Sequence, residues 1–201
     1  MINYFWIFFA ICITKKIMNK NLRLFTFILT ILMTLINFSS ADSEKSFFDF
    51  SINLINGEKL ELSKFSGNVV LLVNTASYCG FTKQYDDLQE LWDTYKENKV
   101  IILGVPSNSF NQEKNSSKEV KNFCETNFNI NFPMTEITSV KGDDAHIIYK
   151  WAKKSFGNSA SPKWNFHKIL IDKNGRVVDT FAPFTKPTSK KILKAIDKLI
   201  S

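Results

Sequence analysis

Of the three cysteines in this 201-residue chain, Cys79 is the one placed to react. It lies in Asn74-Thr75-Ala76-Ser77-Tyr78-Cys79-Gly80-Phe81-Thr82, where the apolar run Val69 to Val73 gives way to a helical pattern opening near Thr82. A thiol at a helix N-terminus meets unpaired backbone N–H groups and the positive end of the helix dipole, which together favour thiolate over thiol. Three positions on stands Thr82 instead of a second cysteine, so the dithiol chemistry of a Cys-x-x-Cys turn is not available locally. Any disulfide partner of Cys79 must come from elsewhere, and Cys124 is the candidate, since Cys12 falls in the leader described below. A pair of cysteines in an exported chain also suits a single structural disulfide, and the residues alone leave both readings open. His146 and His167 lie far apart without ligand-spaced neighbours, so no metal site is expected.

Charge is distributed unevenly. Residues 1–41 carry four basic residues and no acidic one; without them the chain has 22 basic and 19 acidic residues, an ordinary soluble surface. No basic stripe interleaved with aromatics appears in the remainder, which argues against a nucleic-acid partner. Met18-Asn19-Lys20-Asn21-Leu22-Arg23, then apolar Leu24 to Phe38, then Ser39-Ser40-Ala41 follow the order of a signal peptide with a small-residue cleavage site. The apolar run is short against the roughly 20 residues of a membrane span, so a cleaved export signal over 18–41 is expected, with anchoring by 24–38 as the alternative. Residues 1–17 read as an upstream extension. Residues 42–201 are enough for one domain with a sizeable core, and neither a repeat nor a Pro/Gly-rich linker divides them.

The elements that must hold Cys79 follow in order. Phe48 to Leu54 and Glu58 to Leu62 alternate apolar and polar residues about Asn56-Gly57 and predict a hairpin. Val69 to Val73, a helix from about Thr82 to Asn98 with Tyr85, Leu88, Trp92 and Tyr95 on one face, and Val100 to Val105 predict a parallel βαβ unit. Pro106, lacking an N–H, closes that strand. Ser116-Ser117-Lys118-Glu119 predicts a capping box for a second helix that buries Val120, Phe123, Cys124 and Phe128. A third helix over about 145–156 ends at Gly157. Phe166 to Ile171 and Arg176 to Phe181 form a hairpin about Asp172-Lys173-Asn174-Gly175, and a last helix spans about Ser189 to Leu199. The sum is an α/β chain with a mixed sheet flanked by helices, a thioredoxin-like fold bearing an N-terminal β-hairpin.

With the elements in place, three ordered segments carry a resemblance to the glutathione peroxidase family. They are Asn74 to Thr82, Pro106-Ser107-Asn108-Ser109-Phe110-Asn111-Gln112-Glu113, and Trp164-Asn165-Phe166, within a similarity running from about Phe47 to the C-terminus. The resemblance implies a thiol-dependent peroxidase with Cys79 as the peroxidatic residue and Gln112, Trp164 and Asn165 completing a catalytic tetrad. Cys124 matches the resolving cysteine of members reduced by thioredoxin-type partners. Peroxide is then the substrate, hydrogen peroxide or an organic or lipid hydroperoxide, and the reductant an external thiol, thioredoxin-like or glutathione, with no bound cofactor. The chain departs from the family pattern at Val105, Ser107, Ser109 and Lys114, in a loop one residue shorter. It also lacks, between Trp151 and Trp164, the insertion that supports tetramers, so a monomer is expected.

Activating the thiol alone gains little rate, because nucleophilicity falls as a thiol becomes more acidic. The larger contribution must come from donors aimed at the departing oxygen, and the amides of Gln112 and Asn165 and the indole of Trp164 can donate. A thiol–disulfide exchange protein would explain Cys79 while giving Gln112 and Trp164 no role; a non-catalytic module stapled by Cys79 and Cys124 is the third reading. His167 follows the third motif and is expected to point away from the site.

Overall fold

The computed structural model describes residues 45–201; the leader and its expected cleavage site lie outside them. A short 3-10 turn, Phe47–Asp49, capped by Ser46, leads into the hairpin of β1 (Ser51–Asn53) and β2 (Lys59–Glu61), paired antiparallel with Ile52 opposite Leu60. The hairpin is where the Asn56-Gly57 signal puts it, with three-residue strands because 3-10 turns take over the flanks. The remaining elements are β3 (Val69–Thr75), α1 (Gln84–Tyr95), β4 (Val100–Pro106), α2 (Ser117–Phe128), α3 (Ile147–Phe156), β5 (Lys168–Ile171), β6 (Val177–Phe181) and α4 (Lys190–Ile200).

The main sheet has the order β4-β3-β5-β6; β3 and β4 run parallel in register from Val69/Val100 to Thr75/Pro106, while β5 is antiparallel to β3 and β6. Every residue of β3 is buried, as a central strand covered on both faces requires. One face packs Leu71 and Val73 against Tyr85, Leu88 and Leu91 of α1, Val120 and Cys124 of α2, and Ile192 and Ile196 of α4. The other packs Val70 and Leu72 against Ile148, Tyr149 and Trp151 of α3 together with the hairpin and Phe47. This is the mixed, thioredoxin-like sheet expected from the order of elements.

Several local expectations are corrected. The first α-helix is shorter than Thr82 to Asn98, because turns occupy 77–83 and a 3-10 turn replaces the last residues. Its deepest face is Tyr85, Leu88 and Leu91, with Trp92 and Tyr95 only partly buried against the same core cluster. In α2 only Val120 and Cys124 are fully buried, while Phe123 and Phe128 are half-covered. Ser116 caps that helix by accepting from Glu119 N at 3.3 Å. Phe166 is not a strand residue: it adopts φ 61°, and β5 begins at Lys168. The β5–β6 turn needs Gly175, whose φ is 76° and whose absent side chain leaves room for Phe48; a Cβ there would lie 2.8 Å from that ring.

Candidate active site

Cys79 sits on the turn between β3 and α1, five positions before the first helical residue, so the sequence expectation of a cysteine within the opening turn of the helix is corrected. Local backbone polarity nevertheless reaches the sulfur: Phe81 N–H points at Cys79 Sγ at 3.5 Å. Thr82 builds the turn. Its hydroxyl oxygen accepts from Cys79 N at 3.1 Å and lies 2.7 Å from Cys79 O and 3.0 Å from Ala76 O, so its one proton serves these two carbonyls. Cys79 itself is largely buried, at 8% exposure.

The second motif comes to Cys79 from the loop after β4. Asn111, in the left-handed region that asparagine tolerates, closes a turn with Asn108 and presents Gln112. Gln112 O then accepts from Tyr78 N at 2.9 Å, which ties Gln112 to the residue before Cys79. The third motif closes the site from the segment before β5. Asn165, fully buried, donates from Nδ2 to Gln112 Oε1 at 2.9 Å. With its carbonyl held, Gln112 turns its NH2 elsewhere, and no protein acceptor takes it among the described residues. Trp164 is placed by its backbone, whose carbonyl accepts from Asn74 Nδ2 at 3.1 Å. Its ring lies against Phe110 with centroids 5.3 Å apart, and it remains 42% exposed. Three segments distant in sequence thus meet around the Cys79 turn.

Glu113 was not singled out from the sequence. It is buried, and Oε1 accepts from Ser77 N at 3.1 Å and Lys114 N at 2.8 Å, so a carboxylate braces the Cys79 turn from below. Burial raises its pKa, and these same hydrogen bonds oppose the shift. Lys168 is a second buried charge beyond the sequence reading. Its Nζ donates to Gln84 Oε1, Pro183 O and Thr185 O, pinning the loop after β6 to the start of α1. Burial pushes that ammonium down to about 7, with Asp87 opposing. Only the placement of a charged residue in an otherwise apolar strand could have flagged Lys168; nothing local distinguishes Glu113 from a solvated loop glutamate.

Cys124 is fully buried on α2, and both thiols are free. Burial pushes the Cys124 thiol up to about 12; the Tyr85 hydroxyl opposes, and Glu113 and Glu125 add to the rise. Burial thus holds this thiol in its protonated form where it lies. His167 is buried beside the Ser159 backbone, and burial followed by the charges of Lys168 and Lys163 pushes it down to about 4. Among the described residues no group of His, Cys, Asp and Glu is placed to hold a metal ion.

Fold and site together define a thioredoxin-like protein with a cysteine on the turn after its central strand, to which the segments carrying Gln112, Trp164 and Asn165 are tied by hydrogen bonds. The family model "Glutathione peroxidase" matches residues 47–153, and the chain belongs to the glutathione peroxidase family. It is similar to the glutathione peroxidase of Lactococcus lactis subsp. cremoris, 42% identical over 158 residues that cover 77% of this chain and 99% of that protein. The hydroperoxy fatty acid reductase of Synechocystis is 38% identical over 170 residues, covering 80% and 99% of the two chains. The crystal structure of T. cruzi GPX1 superposes with a TM-score of 0.61 at 31% identity, covering 78% of this chain and 97% of that one. The protein is a thiol-dependent peroxidase, an oxidoreductase with peroxide as acceptor.

Proposed function

We propose that Cys79 attacks the peroxide and that Gln112 and Trp164 receive the charge developing on the departing oxygen. The thiolate sulfur bonds to the outer oxygen, the O–O bond breaks, and the remaining oxygen takes a proton and leaves as water or an alcohol. The observation that carries this reading is Gln112, gripped by Tyr78 N on one side and Asn165 Nδ2 on the other with its NH2 unspent. A donor held this way needs no reorganisation as the bond breaks, and one such donor is worth about 10² to 10³ in rate. Asn165 orients Gln112, and its second amide hydrogen is available to the oxygen.

Cys124 then condenses with the sulfenic acid: an S–S bond forms, the S–O bond breaks, and the thiol proton leaves with hydroxide as water. Because Cys124 is fully buried where it lies, α2 opens first; only two of its side chains are fully buried, so opening costs little. A thioredoxin-type dithiol suits the resulting disulfide better than a monothiol. Hydrogen peroxide and organic hydroperoxides are both within reach, and the exposed rings of Tyr78 and Trp164 offer apolar surface to the latter. The name of the Synechocystis relative points to fatty-acid hydroperoxides. The leader pattern supports export with cleavage after Ala41, and the short 152–163 segment supports a monomer.

Peroxide consumption driven by a thioredoxin system tests this. The full protein should consume hydrogen peroxide and a fatty-acid hydroperoxide, and Cys79→Ser should not. Disulfide-substrate reduction without peroxide turnover would instead identify an exchange protein.

A further inference from the structure

The residue immediately before each thiol touches the same ammonium group. Lys114 Nζ donates to Tyr78 Oη at 2.9 Å, lies 4.6 Å from the Tyr78 ring centroid, and lies 4.9 Å from the Phe123 ring centroid. Tyr78 precedes Cys79 on the active-site turn, and Phe123 precedes Cys124 on α2. We propose that Lys114 is a positioning residue for the resolution step, a cationic clasp that holds α2 closed over Cys124 and sets how fast Cys124 reaches oxidised Cys79. This rests on the reading of Cys124 as the resolving cysteine.

Phe123 leads a short aromatic path into the core cluster that holds Cys124. Its ring meets Phe128 edge-on at 5.6 Å, and Phe128 meets Tyr85 at 5.3 Å. Cys124 cannot leave its packing without Phe123 leaving Lys114. Lys114 and Tyr78 both lie outside α2, so their contact survives when the helix opens, and the Lys114–Phe123 contact is the one lost. The hydrogen bond to Tyr78 fixes the ammonium in advance, so gripping Phe123 costs little further side-chain freedom. A cation–π contact at a partly exposed site corresponds to about a two- to five-fold shift in the opening equilibrium. With two fully buried side chains holding α2, a shift of that size is felt.

The test treats the reduced full-length protein with one equivalent of hydrogen peroxide and follows two phases, loss of the Cys79 thiol and then of Cys124. In Lys114→Met the first phase should stay within about two-fold of the parent, and the second should be about two- to five-fold faster. Lys114→Arg keeps a cation over both rings and should return the second phase to the parent rate. Phe123→Leu should speed the second phase by a similar factor, and the double variant should be no faster than either single one. Amide hydrogen exchange over 117–128 should quicken by the same factor in Lys114→Met. A second phase equal to or slower than the parent in folded Lys114→Met overturns the clasp while leaving Cys124 as resolving cysteine. No Cys79–Cys124 disulfide in the parent overturns the underlying reading, and the clasp with it.

Discussion

Replacing Trp164 by Phe separates donor from packing. The indole is 42% exposed, its covered part lies against Phe110 with centroids 5.3 Å apart, and its backbone is held independently by Asn74 Nδ2. A phenyl ring keeps the contact with Phe110 and loses only part of the smaller ring's burial. At about 25 cal/mol per Å² over a few tens of Å², the cost is below about 1 kcal/mol, a shift of a few degrees in Tm for a domain of this size. The N–H is another matter, since it donates to no protein group among the described residues and phenyl has none. A fully preorganised donor would be worth about 10² to 10³ in rate, and partial exposure to water lowers this, so the expected loss is at least about ten-fold. Stopped-flow oxidation of Cys79 by hydrogen peroxide, beside a melting curve, measures both quantities. Oxidation at the parent rate in a folded Trp164→Phe protein would refute the indole as a donor. Equal losses of rate and structure would refute the claim that packing is preserved.

Other consequences follow from the same geometry. Asn165→Ala removes the bond to Gln112 Oε1, so peroxide oxidation of Cys79 should fall about ten-fold or more and stability by about 1 to 3 kcal/mol; a parent-like rate would show that Gln112 needs no such anchor. Cys124→Ser should leave the first oxidation intact, abolish thioredoxin-driven turnover and let sulfinic acid accumulate in excess peroxide, which mass analysis of Cys79 reads directly. Unimpaired turnover in that variant would mean that a small thiol reduces Cys79 itself. For His167 the unfolded chain takes up a proton below about 6.5 and the folded one only near about 4. The His167 contribution to stability should therefore be lost as pH drops through that window, by at most about 1.4 kcal/mol per unit, and be fully present above it. Denaturant melts from pH 7 to 4 should show a shallower loss in His167→Gln, and parallel curves would place the acid sensitivity elsewhere.

Much of the scaffold was legible because its signals are local. Asn56-Gly57 between alternating runs specifies a hairpin, the unbroken apolar stretch of β3 specifies a strand covered on both faces, and the short joins to α1 and β4 leave a parallel crossover as the economical solution. The local pattern misled where tertiary contacts compete with it. Thr82 has its hydroxyl engaged by the Cys79 turn, which delays the helix to Gln84, and Phe166 is drawn out of the strand period by its backbone bond to Asn74 O at 2.6 Å.

By itself, the order of residues determined that Cys79 follows a central strand and that Thr82 denies it a neighbouring thiol; the resemblance to a known family implied that Gln112, Trp164 and Asn165 share its site. Only the tertiary structure decided what each polar group does, because a side chain's ionisation and donor capacity depend on neighbours far along the chain. The residue order names no partner for Glu113 or Lys168; the fold buries one under Ser77 N and the other among Gln84, Pro183 and Thr185. The burial of Cys124 on α2 was legible from helical periodicity, but the neighbours that act on its thiol, Tyr85 and Glu113, are set only by the fold. Periodicity reports which residues leave water; it does not report which polar atoms meet once they have.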